Sequence, residues 1–489
     1  MSRFLLSLLV VLAWNCTSPV NAELTIIEDY EGQQGLAVHR LTITPAAEPV
    51  PALKHRFVVP LHKRKPGNAA THYLRSLGES SGPGIRWSRL KDQYGEQVYD
   101  WCDLDIPMNE IPMKEFPQVA QSFGHYVDLY IRQASECREC VWGLEEMDLR
   151  GPEAIAFLLP DVQESRALGQ GLMLLSRLST FERRYEDSID YIRMNYQLGR
   201  DFGKQRFLVC QLVGFAEVGQ ANQSVIELIS APDSPNLYWA LSELPRPVVP
   251  MRESMNLEMS LGLRMFPALL DVEEKEHSAQ EWTRLVQTTI NDLNAASGLL
   301  EGAIIPKDKT LAQVTTAGLA LFVYPAAKQR LIDSGESSDE VEAMSVSQVL
   351  LIDTAREFQK IADDMEKWTF VPYQQRRKIR FPNRSFEDGF GPLLADLLLP
   401  ATAAAYTAQM RVQWQIDALR AVEALRMHAA ATGSLPKSLD EVTVVPVPRN
   451  PITEKNYEYR LDGNTAVLDL PFSDGMPGIA WRFELTLAD

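Results

Sequence analysis

The chain has 489 residues, of which 45% are hydrophobic and 23% are charged, a composition typical of an ordinary soluble globular protein. Its formal net charge is −17. Nucleic acids and anionic membrane surfaces repel such a chain, so neither is an expected partner. The length exceeds that of one ordinary hydrophobic core and predicts two or three domains.

The first segment, residues 1–22, has the three-part layout of a secretory signal peptide. Arg3 supplies a positive start, an apolar run covers 4–14, and Val20 and Ala22 occupy the small-residue positions before a cleavage site. As a helix the apolar run rises only about 16 Å, which is short of a ~30 Å hydrocarbon core. We therefore expect cleavage after Ala22 and a periplasmic or extracellular mature chain without a transmembrane segment. The alternative is an uncleaved N-terminal anchor.

Four cysteines lie outside the signal peptide: Cys102, Cys137, Cys140 and Cys210. In an exported protein this even number permits two disulfides, with three possible pairings. Cys137 and Cys140 form a C-x-x-C motif, and haem attachment is excluded because Val141 stands where a histidine would be needed. Redox and zinc roles stay open. Structural cysteines, bridged or simply buried, are favoured, because a helical pattern precedes the motif and no second close pair completes a zinc site.

Residues 23–75 are expected to form an N-terminal β-containing segment. Apolar alternation predicts strands over 24–27 and 36–44, and a third strand over 53–59. A Gly- and Ser-rich stretch over 76–84 predicts a loop.

Residues 85–381 are expected to form a domain of helical hairpins. One apolar helical face is formed by Leu168, Leu172, Leu175, Leu178 and Phe181. A second helix is predicted over 185–196, after a short turn, and a third over 208–218. Small Ser176 and Ser188 fall where a tetratricopeptide repeat places small residues for close packing, whereas Asn195 departs from that pattern. The chain is therefore predicted to be mainly α, an irregular and weakly tetratricopeptide-like stack of helical hairpins.

Further along this domain, a Pro-rich stretch over 231–250 predicts an irregular segment that Tyr238 and Trp239 anchor onto the core. Helical patterns resume over 252–270, 279–296 and 311–334. The small polar and acidic residues at 337–340 predict the start of a helix that runs on toward residue 368.

Residues 393–489 are expected to form a C-terminal α+β module, a long helix packed on a small antiparallel sheet. Val412, Ile416, Leu419, Val422 and Leu425 lie on one face of the helix, which runs over 402–432. Gly433 is placed to cap it. The Asp462-Gly463-Asn464 stretch predicts a hairpin turn, and a last strand is expected over 479–487.

This module resembles the head of the major pseudopilin of type II secretion systems. The resemblance lies in a helix followed by Gly433-Ser-Leu-Pro436, the prolines at 448 and 451, Tyr457-Glu-Tyr459 and Asp462-Gly463. It implies a pseudopilin-like head fold. Because the helix is internal, and Asn450 stands where that family often has aspartate, filament assembly and calcium binding are not expected.

The whole mature chain resembles a family of exported planctomycete proteins of unknown function. The residues that carry this resemblance are 66–70, 140–143, 235–241, 342–344, 423–426 and 445–448. It implies an exported compartment and no particular activity.

No catalytic, cofactor-binding or metal-binding residues are assigned, because the sequence contains no P-loop, dinucleotide fingerprint or H-E-x-x-H motif. His428 is interpreted as a surface or helix-end charge. Two functions remain. The favoured one is an exported helical scaffold or binding protein for protein or peptide partners, without catalysis. The alternative is an exported enzyme, a hydrolase with a dispersed acidic active site.

The exported protein is expected to begin at Glu23, because the cleavage site ends at Ala22. Intact-mass measurement and N-terminal sequencing of protein from the exported fraction test this. Recovery of the uncleaved N-terminus beginning at Met1 in that fraction would contradict it.

Overall fold

The computed structural model describes residues 24–27, 36–78, 82–143, 153–205, 207–252, 254, 266–270, 272, 277–299, 309–376, 389–398, 400–472 and 480–488. The predicted signal peptide, its cleavage site at Ala22 and most of the helix predicted over 252–270 lie outside these residues. The described chain is mainly α-helical with a small sheet, as the sequence predicts.

The helices of eight residues or more are α1 (Ala69–Leu77), α2 (Pro83–Tyr94), α7 (Glu153–Phe181), α8 (Tyr185–Phe202), α9 (Leu208–Ser230), α12 (Ala279–Leu299), α13 (Lys309–Asp333), α15 (Val346–Glu366), α17 (Phe390–Leu398) and α18 (Pro400–Thr432). The shorter ones are α3 (Gln97–Asp100), α4 (Phe116–Gln121), α5 (Gly124–Tyr126), α6 (Arg132–Ser135), α10 (Tyr238–Ser242), α11 (Pro267–Leu270), α14 (Ser338–Ala343) and α16 (Tyr373–Arg376). The strands are β1 (Leu24–Ile27), β2 (Leu36–Ile43), β3 (Lys65–Asn68), β4 (Cys137–Glu139), β5 (Glu458–Asp462), β6 (Thr465–Pro471) and β7 (Ala480–Leu487).

The centre of the helical part is the antiparallel run α7, α8 and α9, which confirms the predicted helical hairpins. The turn between α7 and α8 includes Arg183, whose φ of 57° places it in the left-handed region. The prediction that Ser176 and Ser188 allow close packing is confirmed, since both are buried and their hydroxyl oxygens lie 3.0 Å apart.

Helices α8 and α9 cross at a contact that only glycine permits. A Cβ added to Gly214 would lie 2.5 Å from the carbonyl oxygen of Gly199, and one added to Gly199 would lie 2.6 Å from the carbonyl oxygen of Gly214. The two backbones therefore touch directly, and this crossing sets the distance between the helices.

The larger sheet is built from both ends of the described chain. Its five strands lie in the order β1-β2-β7-β6-β5, with β2 and β7 parallel and the other neighbours antiparallel. In the β2–β7 register His39 lies beside Phe483 and Leu41 beside Leu485. The last segment is therefore not a purely antiparallel sheet of its own, as the sequence suggested, because β2 from the N-terminal segment completes it.

Two predicted strand features have different outcomes. The strand predicted over 53–59 is wrong: the segment is a series of turns, in which Lys54 N–H donates to the Pro51 carbonyl and Phe57 is buried as an anchor. The hairpin predicted at Asp462 is confirmed, with Gly463 in the left-handed region between β5 and β6.

Helix α18 is buried on more than the one face predicted. It packs against α9 and α10 on one side, while Trp414 lies against Phe472 and Trp481 of the sheet on the other. Burial on two opposite sides places this helix in the interior of the described fold. Gly433 caps this helix as predicted, with a φ of 81° and its N–H donating to the Ala429 carbonyl.

The helix predicted to run from 337 toward 368 is broken in two. Ser337 and Glu340 form a capping box that starts α14, as the sequence predicts. A second cap at Ser345, whose side chain accepts from the Gln348 N–H at 3.2 Å, then starts α15. Met344 is extended between them, so two local caps override one continuous apolar pattern.

Within the described ranges, no helix is both long enough and apolar enough to cross a membrane. The domain boundaries at 75, 85, 381 and 393 stay predictions, and the structure adds that segments 23–75 and 393–489 share one sheet.

Gly214→Ala is expected to destabilise the fold by roughly 1–3 kcal/mol, because its methyl group would force the α8 and α9 backbones apart. Gly219→Ala on the same helix is the matched control, since a Cβ there meets nothing within 4 Å. That control should be neutral or stabilise by up to about 1 kcal/mol. Urea unfolding measures both, and equal stabilities for the two variants would contradict the close crossing.

Candidate functional site

The four predicted disulfide candidates lie in three separate places. The structure has none of them in a disulfide: Cys137, Cys140 and Cys210 are buried and Cys102 is half-buried. Cys137 Sγ lies 3.4 Å from the Gln133 carbonyl oxygen, whereas each of the other thiols contacts an oxygen of a different segment. Disulfide formation stays a prediction, while the contacts shown are those of buried structural thiols.

The chemistry of the C-x-x-C pair also favours a structural role. Burial raises the pKa of Cys140, and burial followed by the nearby Asp201 carboxylate raises the pKa of Cys137. Burial raises the pKa of Cys102 to about 12. Since the thiolate is the nucleophile in thiol–disulfide exchange, thiols held neutral at physiological pH are poor candidates for redox chemistry.

Asp201, which the sequence analysis missed, is the polar centre around this motif. Its carboxylate accepts from the Tyr73 hydroxyl at 3.1 Å and from Lys204 Nζ at 2.7 Å. Its carbonyl accepts from Trp142 Nε1 at 2.8 Å, which ties the segment after β4 to the end of α8. Each of these polar groups is satisfied, so this cluster holds segments together and presents no unused group.

A second polar feature that the sequence analysis missed is Glu217 in the middle of α9. Its side chain is buried, and neither carboxyl oxygen has a hydrogen-bond partner among the described residues. The carboxyl lies against the backbone of α7, since a Cβ on Gly169 would come within 1.6 Å of Oε2. Burial raises the pKa of Glu217 well above its usual range, and the charge of Arg166 only partly opposes this.

Glu217 does not provide the active-site acid that the alternative function requires. A general acid must come within hydrogen-bond reach of a substrate. This carboxyl is enclosed by packed helices and faces the glycine backbone of α7. Asn195 on α8, which departs from the repeat pattern, is likewise buried with both amide atoms unpartnered within the described chain. The two residues mark a polar interior of the helix stack.

The remaining sequence interpretations have mixed outcomes. Tyr238 anchors the Pro-rich segment as predicted, since it is buried and its hydroxyl donates to the Pro446 carbonyl at 2.6 Å. His428 is buried within α18, so its interpretation as a surface charge is wrong. The long helix is covered on all sides at that point. Within the part of the chain that the structure describes, no group of three His, Cys, Asp or Glu side chains could hold a metal ion.

Among the α-helical residues whose burial the structure describes, the most exposed large apolar side chains lie on α13. Leu321 is 71% exposed and Phe322 is 62% exposed. Pro325 and Ala326 follow on the same side and are exposed too. The opposite side of α13 packs into the core through Val323, Ala327 and Leu331. We call Leu321, Phe322, Pro325 and Ala326 the α13 face.

Pro325 also interrupts the backbone hydrogen bonding of this helix. Proline has no N–H, so Pro325 cannot make the helical hydrogen bond to the carbonyl of Leu321 four residues earlier.

An acidic stretch follows the α13 face after Lys328 and Arg330. The stretch from Leu331 to Glu342 contains carboxylates and no lysine or arginine. Its acidic members are Asp333, Glu336, Asp339, Glu340 and Glu342. Four of the five are exposed, while Glu336 pairs with Arg356 and Glu342 pairs with Lys328. Two helical turns separate Pro325 from Asp333, about 12 Å along the axis. The α13 face is thus an apolar surface with a negative end.

Glu217→Gln is expected to stabilise the protein above pH 7. The folded pKa lies above the unfolded value, so the contribution of Glu217 to stability is present below about pH 4.5 and is lost as pH rises through the folded pKa. An uncharged amide does not have this dependence. Urea unfolding from pH 4 to pH 9 measures it. The difference between wild type and variant should grow with pH.

Glu110→Gln serves as the control for that series, because Glu110 is exposed. Its stability difference from wild type should stay nearly flat over the same range. If the Glu217→Gln curve ran parallel to wild type at every pH, the buried carboxyl would not be held neutral in the fold.

Comparison with known proteins gives no match for this chain. No family model, no curated protein and no solved structure matches it. Among the features described above, the α13 face is accessible to a partner, whereas the cysteine, Asp201 and Glu217 clusters are internal.

Proposed function

We propose that this chain is an exported helical binding protein that holds an apolar, basic segment of a partner protein on its α13 face, without catalysis. The single observation that carries the proposal is the exposure of Leu321 and Phe322 side by side on a helix whose other side is packed in the core.

The exposed apolar surface of Leu321 and Phe322 is costly to leave in water. Single exposed apolar residues are normal on soluble proteins, whereas neighbouring ones at helical spacing mark interaction sites. Leu321, Phe322 and Pro325 follow the i, i+1 and i+4 pattern that an amphipathic partner helix recognises. Covering Leu321 and Phe322 would contribute about 1–2 kcal/mol each, since both are already partly shielded.

Charge favours a basic partner. Beyond Pro325, Lys328 is paired with Glu342 and Arg330 with Asp353. A partner that reaches past them meets the exposed carboxylates of Asp333, Asp339 and Glu340, and the whole chain carries a net charge of −17. Lysine or arginine on the partner would be attracted there, and an acidic partner would be repelled. The occupant that fits is an amphipathic helix with an apolar stripe and a basic end.

The fold suits a scaffold of this kind. The α7–α9 stack and the central helix α18 are rigidly packed, whereas α13 contacts the remainder through one side. Export to the periplasm or the extracellular space, expected from residues 1–22, is part of the proposal. The partner would then be another protein of that compartment.

A synthetic amphipathic peptide with leucines at i, i+3, i+4 and i+7 and lysines at one end tests the proposal by fluorescence anisotropy. Wild type should bind it, and the double variant Leu321→Ser with Phe322→Ser should bind at least about tenfold more weakly, because two apolar contacts are lost. Leu61→Ser is the matched control, since Leu61 is equally exposed and lies outside α13.

Changes in salt concentration and in the peptide's charge separate the electrostatic contribution to binding from the apolar one. Binding of the lysine peptide should weaken as salt rises, and a peptide with glutamates in place of lysines should bind less tightly. Equal binding by wild type and the double variant, or an equal loss in the Leu61→Ser control, would contradict a specific α13 face.

A further inference from the structure

A second accessible feature lies on different elements, where the loop after α10 meets α18 and the segment before β5. We call it the Arg246 niche and define it by Arg246, Asp417, Arg420 and Tyr457. Hydrogen bonds bring two guanidinium groups and one carboxylate together from the loop after α10 and from α18. The phenol of Tyr457, from a third segment, lies within range of their charges.

The carboxylate of Asp417 is shared by both arginines. Arg246 contacts both of its oxygens, with Nη1 at 3.1 Å from Oδ2, and Arg420 Nη1 lies 2.9 Å from Oδ1. Asp417 is almost completely buried, whereas the Arg246 side chain is 46% exposed. One negative charge therefore faces two positive charges, and the excess positive charge lies toward solvent.

The two arginines differ in how fully the chain uses them. Arg420 donates to Asp417, to the Ser242 hydroxyl at 2.9 Å and to the Tyr238 hydroxyl at 3.3 Å, so each of its nitrogens has a partner. The described contacts of Arg246 use only one N–H on each Nη. A guanidinium has five N–H donors, so Arg246 keeps its Nε–H and two further N–H groups for a ligand.

Tyr457 supplies the inner polar group. It is 5% exposed, and its hydroxyl has no hydrogen-bond partner among the described residues. The charges that act on this hydroxyl are those of Asp417, Arg246 and Arg420. A buried hydroxyl without a partner costs free energy, and that cost disappears when an oxygen of a ligand accepts a hydrogen bond from it.

We propose that the Arg246 niche binds an oxyanion group, a carboxylate or a phosphate, which accepts from Arg246 and from the Tyr457 hydroxyl. The unused N–H groups of Arg246 and the Tyr457 hydroxyl are all hydrogen-bond donors, so the ligand that fits them is an acceptor. The charge excess points to an anion, and the planar guanidinium favours an oxygen pair over a single atom such as chloride.

A fully buried arginine of the same fold, Arg177, has a contrasting set of contacts. Arg177 places its nitrogens on Glu227 and on the carbonyls of Trp101, Asp103 and Ile106, all inside the chain. It needs no further acceptor. Arg246 is the half-exposed arginine with a buried carboxylate behind it and an unpartnered hydroxyl in its surroundings, which is the arrangement of a binding site.

Isothermal titration of the mature chain with sodium phosphate, sodium acetate and sodium chloride at matched ionic strength tests the proposal. Saturable binding of phosphate or acetate, but not of chloride, is expected. Response to phosphate alone indicates a phosphate-bearing ligand, to acetate alone a carboxylate-bearing one, and to both the shared oxyanion chemistry. No saturable response to either anion, or an equal response to chloride, overturns the proposal.

Three variants locate the binding. Arg246→Gln should weaken anion affinity at least about tenfold, while Asp417 keeps Arg420 and the fold is preserved. Tyr457→Phe should leave the melting temperature of the free protein unchanged or raised, because it removes an unpartnered hydroxyl, and should still weaken anion binding.

Arg330→Gln is the matched control, because Arg330 contacts both oxygens of the buried Asp353 at 2.7 Å in a different part of the fold. It should bind the anion as wild type does. An equal loss of affinity in Arg330→Gln, or wild-type affinity in both Arg246→Gln and Tyr457→Phe, overturns the assignment.

Discussion

The ion pair between Arg426 and Glu423 joins the two ends of the chain to the helical stack. Both side chains are 0% exposed, one helical turn apart on α18. The guanidinium donates to Glu423, to the Thr44 carbonyl at 3.0 Å, and to the carbonyl and hydroxyl of Ser234 at 2.8 and 2.9 Å. A buried charge is tolerable only when its hydrogen bonds are complete, and breaking such a pair typically costs 3–5 kcal/mol, so the segments it contacts are fixed together.

The topology follows from that constraint. The segment after β2 is held on α18, since Ala46 N–H donates to the Arg426 carbonyl at 3.2 Å and Asn236 Nδ2 bridges the carbonyls of Ala46 and Glu423. With this end of β2 fixed, the strand lies beside β7 in parallel and the sheet covers α18. The C-terminal segment therefore depends on N-terminal residues for its central pairing, and its last helix is an interior element of the whole molecule.

Local sequence patterns predicted the local structure well. The helix turn at Arg183, the hairpin at Gly463 and the contact of Ser176 with Ser188 each depend on residues close in the chain. The long-range features could not be read this way. The parallel β2–β7 pairing joins residues more than 400 positions apart, and the same local alternation fits an antiparallel neighbour equally well. Likewise, Glu423 and Arg426 resemble an ordinary surface pair at i, i+3, and only the tertiary contacts show them to be buried.

The candidate sites lay beyond prediction for a related reason, because polar residues gain meaning from whether the fold satisfies them. Arg426 and Asp201 make their hydrogen bonds within the chain and hold separate segments together. Within the described residues Glu217 has no hydrogen-bond partner, and because helix backbone encloses it, its chemistry is limited to its own protonation. The Tyr457 hydroxyl likewise has no partner there, and it lies within range of the charges of Asp417 and of Arg246, which solvent can reach. Unsatisfied donors combined with access to solvent are what a ligand can use, and that combination distinguishes a binding site from a polar core.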